Sequence, residues 1–485
     1  MRRMMLACMC LLAGCGPSAG LDQGADDLVI ADVTVVSPER PTALEHAFVR
    51  IRDGRIAEVS EAPLEAPRTI DGAGRFLIPG LIDSHVHLEQ LPMQAAQRDA
   101  NPEIAQAALA QEPRSFLFHG FTTVIDLANG ADRIAAWNRL AARPDAWFCG
   151  AAPIANGYPM AFAPETERFD LVPYFLYDDR QPGRIPPHID STEHTPEGVI
   201  ARMREEGAIC AKTYHETGFG AQRGLPTPDL DTIRRLVAAA RAAGMPVLIH
   251  ANSLGAQQFA LESGVPIIAH GLWNGNAGTD GNLSAEAIAV LDEVSRRSVG
   301  YQPTMQVLPG EVDLFDADFL ADPRLRDVLP AALIDWARSA DGAWFKNEVG
   351  QGLGDRDPAA IYAPLLARLE QVVARLANAG TGLLFGSDTP SGPTYANPPG
   401  LNGWWEIQRW ARAGVREPAL FEALTIANAR AFGLDAEVGS IETGKRAHLL
   451  LVRQNPLQTI EAYDSIETVF VSGVRFARSE LSARR

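Results

Sequence analysis

An alternation of short apolar runs with alanine- and arginine-rich stretches, between residues 80 and 434, most constrains the fold. Short apolar runs bounded by glycine and polar residues are typical of buried strands, and stretches such as PDLDTIRRLVAAARAAG predict helices between them. Strands that alternate with helices form parallel sheets. Eight such runs are present: LIDSHVH, TTVIDL, AWFCGAAPI, AICAKTY, MPVLIHA, VPIIAHG, SVGYQPT and TGLLFGSD.

Eight strand–helix units predict an α/β fold of the (β/α)8 TIM-barrel type, with long insertions, over residues 80–434. The alternative is a doubly wound open sheet, but no glycine-rich phosphate loop follows an early strand. The flanking segments 28–79 and 435–485 carry short β-rich runs separated by turns. We expect them to meet beside the barrel as a small β-sandwich built from both ends of the chain.

The N-terminus predicts export. Residues 1–14 have two arginines, a short apolar stretch and small residues, the layout of a secretory signal peptide. The run from Leu12 to Cys15 resembles the lipobox of bacterial lipoproteins, which implies an acylated Cys15, a linker over residues 15–27 and a lipid-anchored protein of the outer membrane that faces the periplasm. The alternative is a plain secretory peptide cut near Ala19.

Charge and cysteine content limit the partners. The formal net charge of −17 disfavours binding to nucleic acid or to anionic lipid headgroups, so membrane contact is expected only through the anchor. Beyond the N-terminal segment the cysteines are Cys149 and Cys210, and the sequence leaves open whether they form a disulfide. No sequence feature indicates an oligomeric state.

Polar residues with metal-ligating or basic side chains recur where the predicted strands end. In a barrel of this kind the functional side chains lie at the C-terminal ends of the strands. Burying several such groups without a cation is costly, and nitrogen and oxygen ligands suit zinc and similar divalent ions. The residues concerned are His85, His87, Lys212, His250, His270 and Asp388. By contrast, His119 begins a strand, which indicates a structural role.

The loops after the strands are expected to line the mouth of the barrel, where side chains orient a small-molecule substrate or polarise its carbonyl. The candidates are Tyr158, Tyr214, His215, Trp273, Tyr301 and Gln302, with Arg223 as a partner for a substrate carboxylate.

Several motifs together resemble the amidohydrolase superfamily: FLIPGLIDSHVHL, HGFTTVIDL, FGSDTP and LTIANARAFGLDAEVGSIETGKRAHLLLV. The resemblance implies two divalent metal ions, zinc being expected, that activate a bridging hydroxide. It implies that His85 and His87 hold the first ion with Asp388, and that His250 and His270 hold the second. It also implies that Lys212 bridges both ions as a CO2-derived carbamate and that Asp388 transfers protons as the catalytic acid and base.

The implied activity is hydrolysis of a C–N bond in an amide or peptide-like substrate, such as a dipeptide or an N-acyl amino acid. Three alternatives remain: a lactonase or esterase on the same centre, a mononuclear deaminase, and a binding lipoprotein without activity. The chain departs from the family at His448, where relatives usually carry aspartate. This position is expected to lie far from the barrel mouth and to affect stability at most.

Overall fold

The computed structural model describes residues 27–177, 185–219 and 222–485, so the signal peptide and Cys15 lie outside the described residues. No helix in the described part of the chain is long and apolar enough to span a membrane. The strands are β1 (Asp27–Val35), β2 (Leu44–Arg52), β3 (Arg55–Ser60), β4 (Arg68–Asp71), β5 (Phe76–Pro79), β6 (Leu81–Val86), β7 (Phe121–Asp126), β8 (Asp145–Ala151), β9 (Cys210–Tyr214), β10 (Val247–His250), β11 (Ile267–Ala269), β12 (Gly300–Gln302), β13 (Leu449–Val452), β14 (Ile466–Val471) and β15 (Val474–Ala477).

The helices fall between and after these strands. They are α1 (Ala95–Ala100), α2 (Pro102–Phe118), α3 (Ala131–Trp137), α4 (Arg168–Leu171), α5 (Pro196–Glu205), α6 (Leu230–Ala242), α7 (Leu254–Ser263), α8 (Ala285–Arg296), α9 (Val307–Asp313), α10 (Leu325–Val328), α11 (Ala331–Ala337), α12 (Trp344–Leu353), α13 (Pro358–Asn378), α14 (Leu401–Arg412), α15 (Glu417–Glu422), α16 (Asn428–Ala431) and α17 (Arg478–Leu481).

Seven parallel strands form a curled sheet in the order β12-β11-β10-β9-β8-β7-β6. The eighth predicted run, as an extended segment over residues 383–389, joins the two edges of this sheet. On one side Leu384 N donates to Tyr301 O at 2.9 Å, and on the other Ser84 N donates to Phe385 O at 3.1 Å. The chain therefore has the predicted α/β barrel architecture.

The barrel strands are buried on both faces because helices cover the outside and side chains fill the inside. All residues of β6 and β10 are buried accordingly. The helices start at clear signals: Ser253 caps α7 by accepting a hydrogen bond from Ala256 N, and Asp229 caps α6 by accepting one from Thr232 N. These caps set where each strand–helix loop ends and so shape the barrel mouth.

A disulfide links two neighbouring barrel strands. Cys149 of β8 and Cys210 of β9 occupy paired positions, with 4.4 Å between their Cα atoms, and form a disulfide bond. The sequence left this pairing open. The bond fixes the register of β9 two residues before Lys212.

The remaining strands form one mixed sheet in the order β15-β14-β13-β5-β1-β2-β3, in which β4 also pairs with β1. Strand β13, from the C-terminal segment, lies antiparallel to β5 from the N-terminal segment. The two ends of the chain therefore share a sheet, as the sequence predicted. A sandwich of two facing sheets, and the domain boundaries at residues 79 and 434, stay predictions.

His448 lies where this sheet meets the barrel. Its Nε2 is 2.9 Å from Oδ2 of Asp145 at the start of β8, and its Nδ1 accepts a hydrogen bond from Ser472 N at 3.0 Å. Asp145 also pairs with Arg446 at 2.6 Å. The departure from the family therefore places an imidazole in a structural junction at the opposite end of β8 from the strand-end residues.

Candidate metal centre

Two of the predicted histidine ligands lie against one carboxylate, that of Asp388. Nε2 of His87 lies 3.0 Å from Asp388 Oδ1, and Nε2 of His85 lies 3.3 Å from the same oxygen. One ligand atom from each of these residues lies within 4.8 Å of the others, a spacing that suits a shared cation. Asp388 lies in the closing segment, and the two histidines lie at the end of β6 and just after it, so barrel closure creates this group.

The other two histidines adjoin this group. Nδ1 of His270 is 3.5 Å from Asp388 Oδ2, and the His270 ring centroid lies 4.9 Å from that of His85. His250 extends the row, with its ring centroid 4.3 Å from that of His270. The structure thus brings four predicted imidazoles together at one end of the barrel.

The backbone is turned sharply where two of these side chains leave their strands. His270 has a φ of 72° and Asp388 a φ of 56°, both in the left-handed region that residues other than glycine rarely adopt. Such conformations persist only where surrounding structure holds them, and they concentrate at functional sites. Here the turns aim both side chains into the barrel mouth.

Lys212 lies inside the barrel on β9. It is only 2% exposed, and its Nζ has no hydrogen-bond partner among the described residues. Burial lowers the pKa of its amine to about 7. An unpaired buried amine is costly, so its environment fits a lysine converted to an anionic ligand of cations.

The protonation states also suit cation binding. Burial lowers the pKa of His85 to about 3 and lowers the pKa of His250 and His270, so these imidazoles are neutral near pH 7 and their lone pairs are free to ligate. Burial alone would raise the pKa of Asp388, but the contacts with His85 and His87 outweigh it and hold that pKa well below its usual value. The site therefore offers neutral nitrogens and an anionic oxygen.

Polar side chains behind the histidines set their orientation. Nδ1 of His85 lies 3.1 Å from Oε1 of Gln302, whose Nε2 donates to Ser84 Oγ at 2.7 Å. Nδ1 of His270 lies 3.1 Å from Oγ1 of Thr304. With Nδ1 of His85 engaged by an acceptor, its Nε2 is left to face Asp388.

Three of the predicted substrate contacts lie beside the histidines. The ring centroid of Tyr158 is 4.8 Å from that of His250, and that of Tyr214 is 6.1 Å from it. The Trp273 ring is 5.3 Å from His270, and its Nε1 has no hydrogen-bond partner in the described part of the chain. These three aromatic side chains therefore border the group of histidines.

The structure places three other predicted contacts, His215, Tyr301 and Gln302, away from the position of these rings. His215 alternates with Lys212 and Tyr214 on β9 and its neighbouring loop, so its ring faces outward, 4.4 Å from Phe259 of α7. Tyr301 is fully buried, and its hydroxyl lies 2.8 Å from Gln257 Nε2 on the same helix.

Gln302 is also fully buried and supports His85 instead of lining the mouth. Arg223, the remaining candidate, lies exposed on the loop after β9.

The sequence interpretation missed Glu216. Its Oε2 lies 3.5 Å from His250 Nε2, and its side chain is 12% exposed. The signal was the period of two along the strand: Lys212 and Tyr214 face inward, and Glu216 continues that series. The interpretation chose the adjacent His215 because of its residue type.

Comparisons with known proteins agree with this geometry. The amidohydrolase family matches residues 76–293 and 369–475. The D-hydantoinase of Ralstonia pickettii is 30% identical over 121 residues, so the match spans about a quarter of each chain, 24% of this one and 24% of the enzyme. The imidazolonepropionase of Maricaulis maris is 27% identical over 432 residues, which cover 84% of this chain and 87% of that protein.

Solved structures extend the comparison to the fold. The crystal structure of a prolidase complexed with N-methylphosphonate-L-proline superimposes with a TM-score of 0.65 at 22% identity. The match covers 93% of this chain and 100% of that one. It establishes a shared fold over nearly the whole length.

Proposed function

This chain belongs to the amidohydrolase family, and we propose that it is a metal-dependent hydrolase that cleaves a C–N bond of a small amide or peptide-like substrate. The prediction of an enzyme of the hydrolase class that acts on C–N bonds is confirmed by that membership. The convergence of His85, His87 and His270 on Asp388, with His250 against His270, carries the proposal. The buried Lys212, whose amine has no hydrogen-bond partner among the described residues, adds to it.

These residues fit a pair of divalent ions, zinc being the expected metal. His85, His87 and Asp388 would hold one, and His250 and His270 the other. When bound, such ions supply Lewis acidity and a water that loses its proton near neutral pH.

The amine of Lys212 supports the bridge between them. With a pKa near 7, a large fraction of the amine is neutral at neutral pH. The neutral nitrogen attacks CO2, which forms an N–C bond and releases one proton. The product is an anionic carbamate with two oxygens that would meet both ions.

Asp388 performs the proton transfer. It is anionic, and its oxygens lie among the imidazoles where the attacking water must sit. It accepts the proton of that water and delivers it to the nitrogen of the leaving group. Without this proton the nitrogen would have to depart as an anion, which is a poor leaving group. Trp273 presents an unpaired indole N–H that donates to a substrate carbonyl or carboxylate, while Tyr158 and Tyr214 border the position of the scissile bond.

We propose a dipeptide or an N-acyl amino acid as the substrate class. The aromatic side chains beside His250 suit a small organic group, and proteins similar to this chain include a prolidase and hydantoinases. The same centre would attack lactones and esters, so substrate panels must contain both bond types.

We also propose that the protein is exported and anchored through a lipid on Cys15 in the outer membrane, facing the periplasm. The lipobox-like run from Leu12 to Cys15 supports this location. The disulfide between Cys149 and Cys210 supports it independently, because disulfides persist in oxidising compartments such as the bacterial periplasm.

Metal stoichiometry tests the proposed centre. The chain is purified without chelator in bicarbonate buffer, and we expect about two divalent ions per chain. The same preparation should hydrolyse amides in a panel of dipeptides and N-acyl amino acids. Lys212→Ala should retain about one ion and lose activity that short carboxylic acids partly restore, because they replace the bridging oxygens. Lys346→Ala, at the only other lysine before the C-terminal strands, is the matched control and should behave as the parent.

Three outcomes would count against the proposal. Unchanged metal content in Lys212→Ala ends the carbamate bridge. Cleavage of lactones or esters without amides replaces the C–N assignment. A well-folded parent chain that binds no divalent ion removes the metal-dependent mechanism.

A further inference from the structure

Glu216 is a carboxylate at the barrel mouth to which the proposed reaction assigns no task. We propose that it is a positioning residue: it orients His250 so that Nε2 carries the proton and Nδ1 faces the second metal ion. This inference rests on the proposed function, because it concerns the ligand set of the same site. It adds a residue that the ligand pattern of the sequence did not include.

The carboxylate is held in place on both sides. Glu216 Oε1 accepts a hydrogen bond from Gly218 N at 2.8 Å, which fixes one oxygen to the loop backbone. The other oxygen, Oε2, lies 3.5 Å from His250 Nε2. Because the side chain is only 12% exposed, little water competes for this contact.

An imidazole has two nitrogens, and the neutral ring carries its proton on one of them. The nitrogen that meets a carboxylate keeps the proton, which leaves the lone pair of the other nitrogen for a metal. Nε2 of His250 meets Glu216, so Nδ1 is the nitrogen left for ligation. Ligating histidines commonly donate their second N–H to a carboxylate or carbonyl in this way.

Asn252 competes for the same nitrogen, since its Nδ2 lies 3.3 Å from His250 Nε2. Donation by this amide would place the ring proton on Nδ1 and disable that nitrogen as a ligand. Burial raises the pKa of Glu216, but the groups around the carboxyl, Asn252 among them, hold that pKa below its usual value, so the amide of Asn252 faces this carboxylate as well. A hydrogen bond to an ionised acceptor is about twice as strong as a neutral one, which favours the Nε2–H form of His250.

The other half of the site has the same organisation with the nitrogens exchanged. Gln302 engages Nδ1 of His85, and the Nε2 of that ring faces Asp388 at 3.3 Å. An acceptor behind each of these two rings, Gln302 for His85 and Glu216 for His250, therefore selects the nitrogen that points into the site. Gln302 performs this task for the first ion and Glu216 for the second.

The test compares Glu216→Ala, which removes the acceptor, with Glu165→Ala, a matched change at an exposed glutamate on the loop after β8. The ring tautomer of His250 is read in metal-free protein from 15N-histidine NMR, with His250→Gln to assign the signal. Zinc and cobalt titrations then measure the affinity of each ion. In Glu216→Ala, Asn252 is left as the partner of Nε2, so we expect loss of the Nε2–H signature and second-ion binding that is weaker by about 10- to 100-fold, with first-ion binding and the Glu165→Ala variant unchanged.

An unchanged His250 signal, or second-ion affinity within about twofold of the parent, would overturn the role of Glu216. Asn252→Ala adds a second check, because it should preserve the Nε2–H form of His250 that is already present in the parent. If the Nε2–H form appeared only after Asn252 is removed, Asn252 and not Glu216 would set the tautomer in the parent. If the parent binds a single ion, the binuclear proposal fails, and the metal-free NMR signal alone decides the role of Glu216.

Discussion

Asp388 combines three properties at the scale of a single residue. It contacts three imidazoles, it has left-handed backbone geometry, and those contacts keep it anionic despite burial. A carboxylate with these contacts serves both as a ligand and as a proton carrier. The preceding residue, Ser387, is hydrogen-bonded to Asp83, and this bond anchors the chain immediately before Asp388.

Asp388→Asn tests the proton-transfer role. The amide cannot accept a proton, so kcat should fall by about 10²- to 10⁴-fold while the protein stays folded. Asp170→Asn, at an exposed carboxylate on α4, is the control and should keep full activity. Steady-state kinetics with metal analysis of both variants provides the measurement. Full activity with normal metal content in Asp388→Asn would disprove the role.

Residue type and strand position together predicted the residues that converge, because barrel strands deliver their C-terminal ends to one place. They did not predict which way each side chain points once a strand ends. Tyr301 and His215 were assigned to the mouth by residue type, although the alternation along the strand turns both outward. The same alternation would have revealed Glu216.

At the scale of elements, the closing segment 383–389 decides whether the barrel is complete. It is extended and hydrogen-bonded to β12 and β6, but it is too irregular to pair continuously with either. Gly386 permits the close approach: a Cβ at this position would lie 2.7 Å from the Cβ of His85. The glycine therefore lets the strand that bears Asp388 pack against the strand that bears the first histidine.

Gly386→Ala should destabilise the protein and displace His85. Overpacking of this kind costs about 1–3 kcal/mol of unfolding free energy, so the thermal midpoint should fall and first-ion affinity should weaken. Gly382→Ala is the matched control, because a Cβ there meets no atom within 4 Å. Thermal denaturation and zinc titration measure both effects. Equal stability and affinity in the two variants would refute the close-packing argument.

The sequence predicted strands well where a short apolar run had clear boundaries. It predicted less of the insertion between β12 and the closing segment. Helices α9 to α12 there are short, and several lack a side-chain cap. Their position depends on contacts with distant parts of the chain, such as the hydrogen bond from Trp344 Nε1 to Pro92 O at 2.9 Å. Local sequence carries little information about such contacts.

At the scale of the whole molecule, the barrel and the flanking sheet are joined at several points. His448 connects Asp145 of the barrel with Ser472 of the sheet, and Arg446 pairs with the same aspartate. The shared sheet was predictable because both ends of the chain have the same β-rich texture. The junction was not predictable, because partners such as Asp145 and His448 are about 300 residues apart in sequence.

The proposed lipid anchor on Cys15 is tested in cells. Cys15→Ala should abolish incorporation of labelled palmitate and release the protein from the membrane fraction, because the proposed acceptor thiol is removed. Cys10→Ala, within the proposed signal peptide, is the control and should remain lipidated. Radiolabelling and fractionation of cells that express each variant make the comparison. Labelling that persists in Cys15→Ala would contradict the lipobox interpretation.

The pairing of β5 with β13 has a consequence for biosynthesis. Pro79 at the end of β5 lies opposite Leu449 at the start of β13, so the ribosome must add about 370 residues before the partner strand exists. At roughly 5–20 residues per second this delay lasts about 20 to 70 s. Until then the N-terminal strands present an unpaired edge, and the sheet cannot be completed before the last part of the chain is made. The sheet that carries both ends of the chain is therefore assembled only after the whole barrel segment has been synthesised.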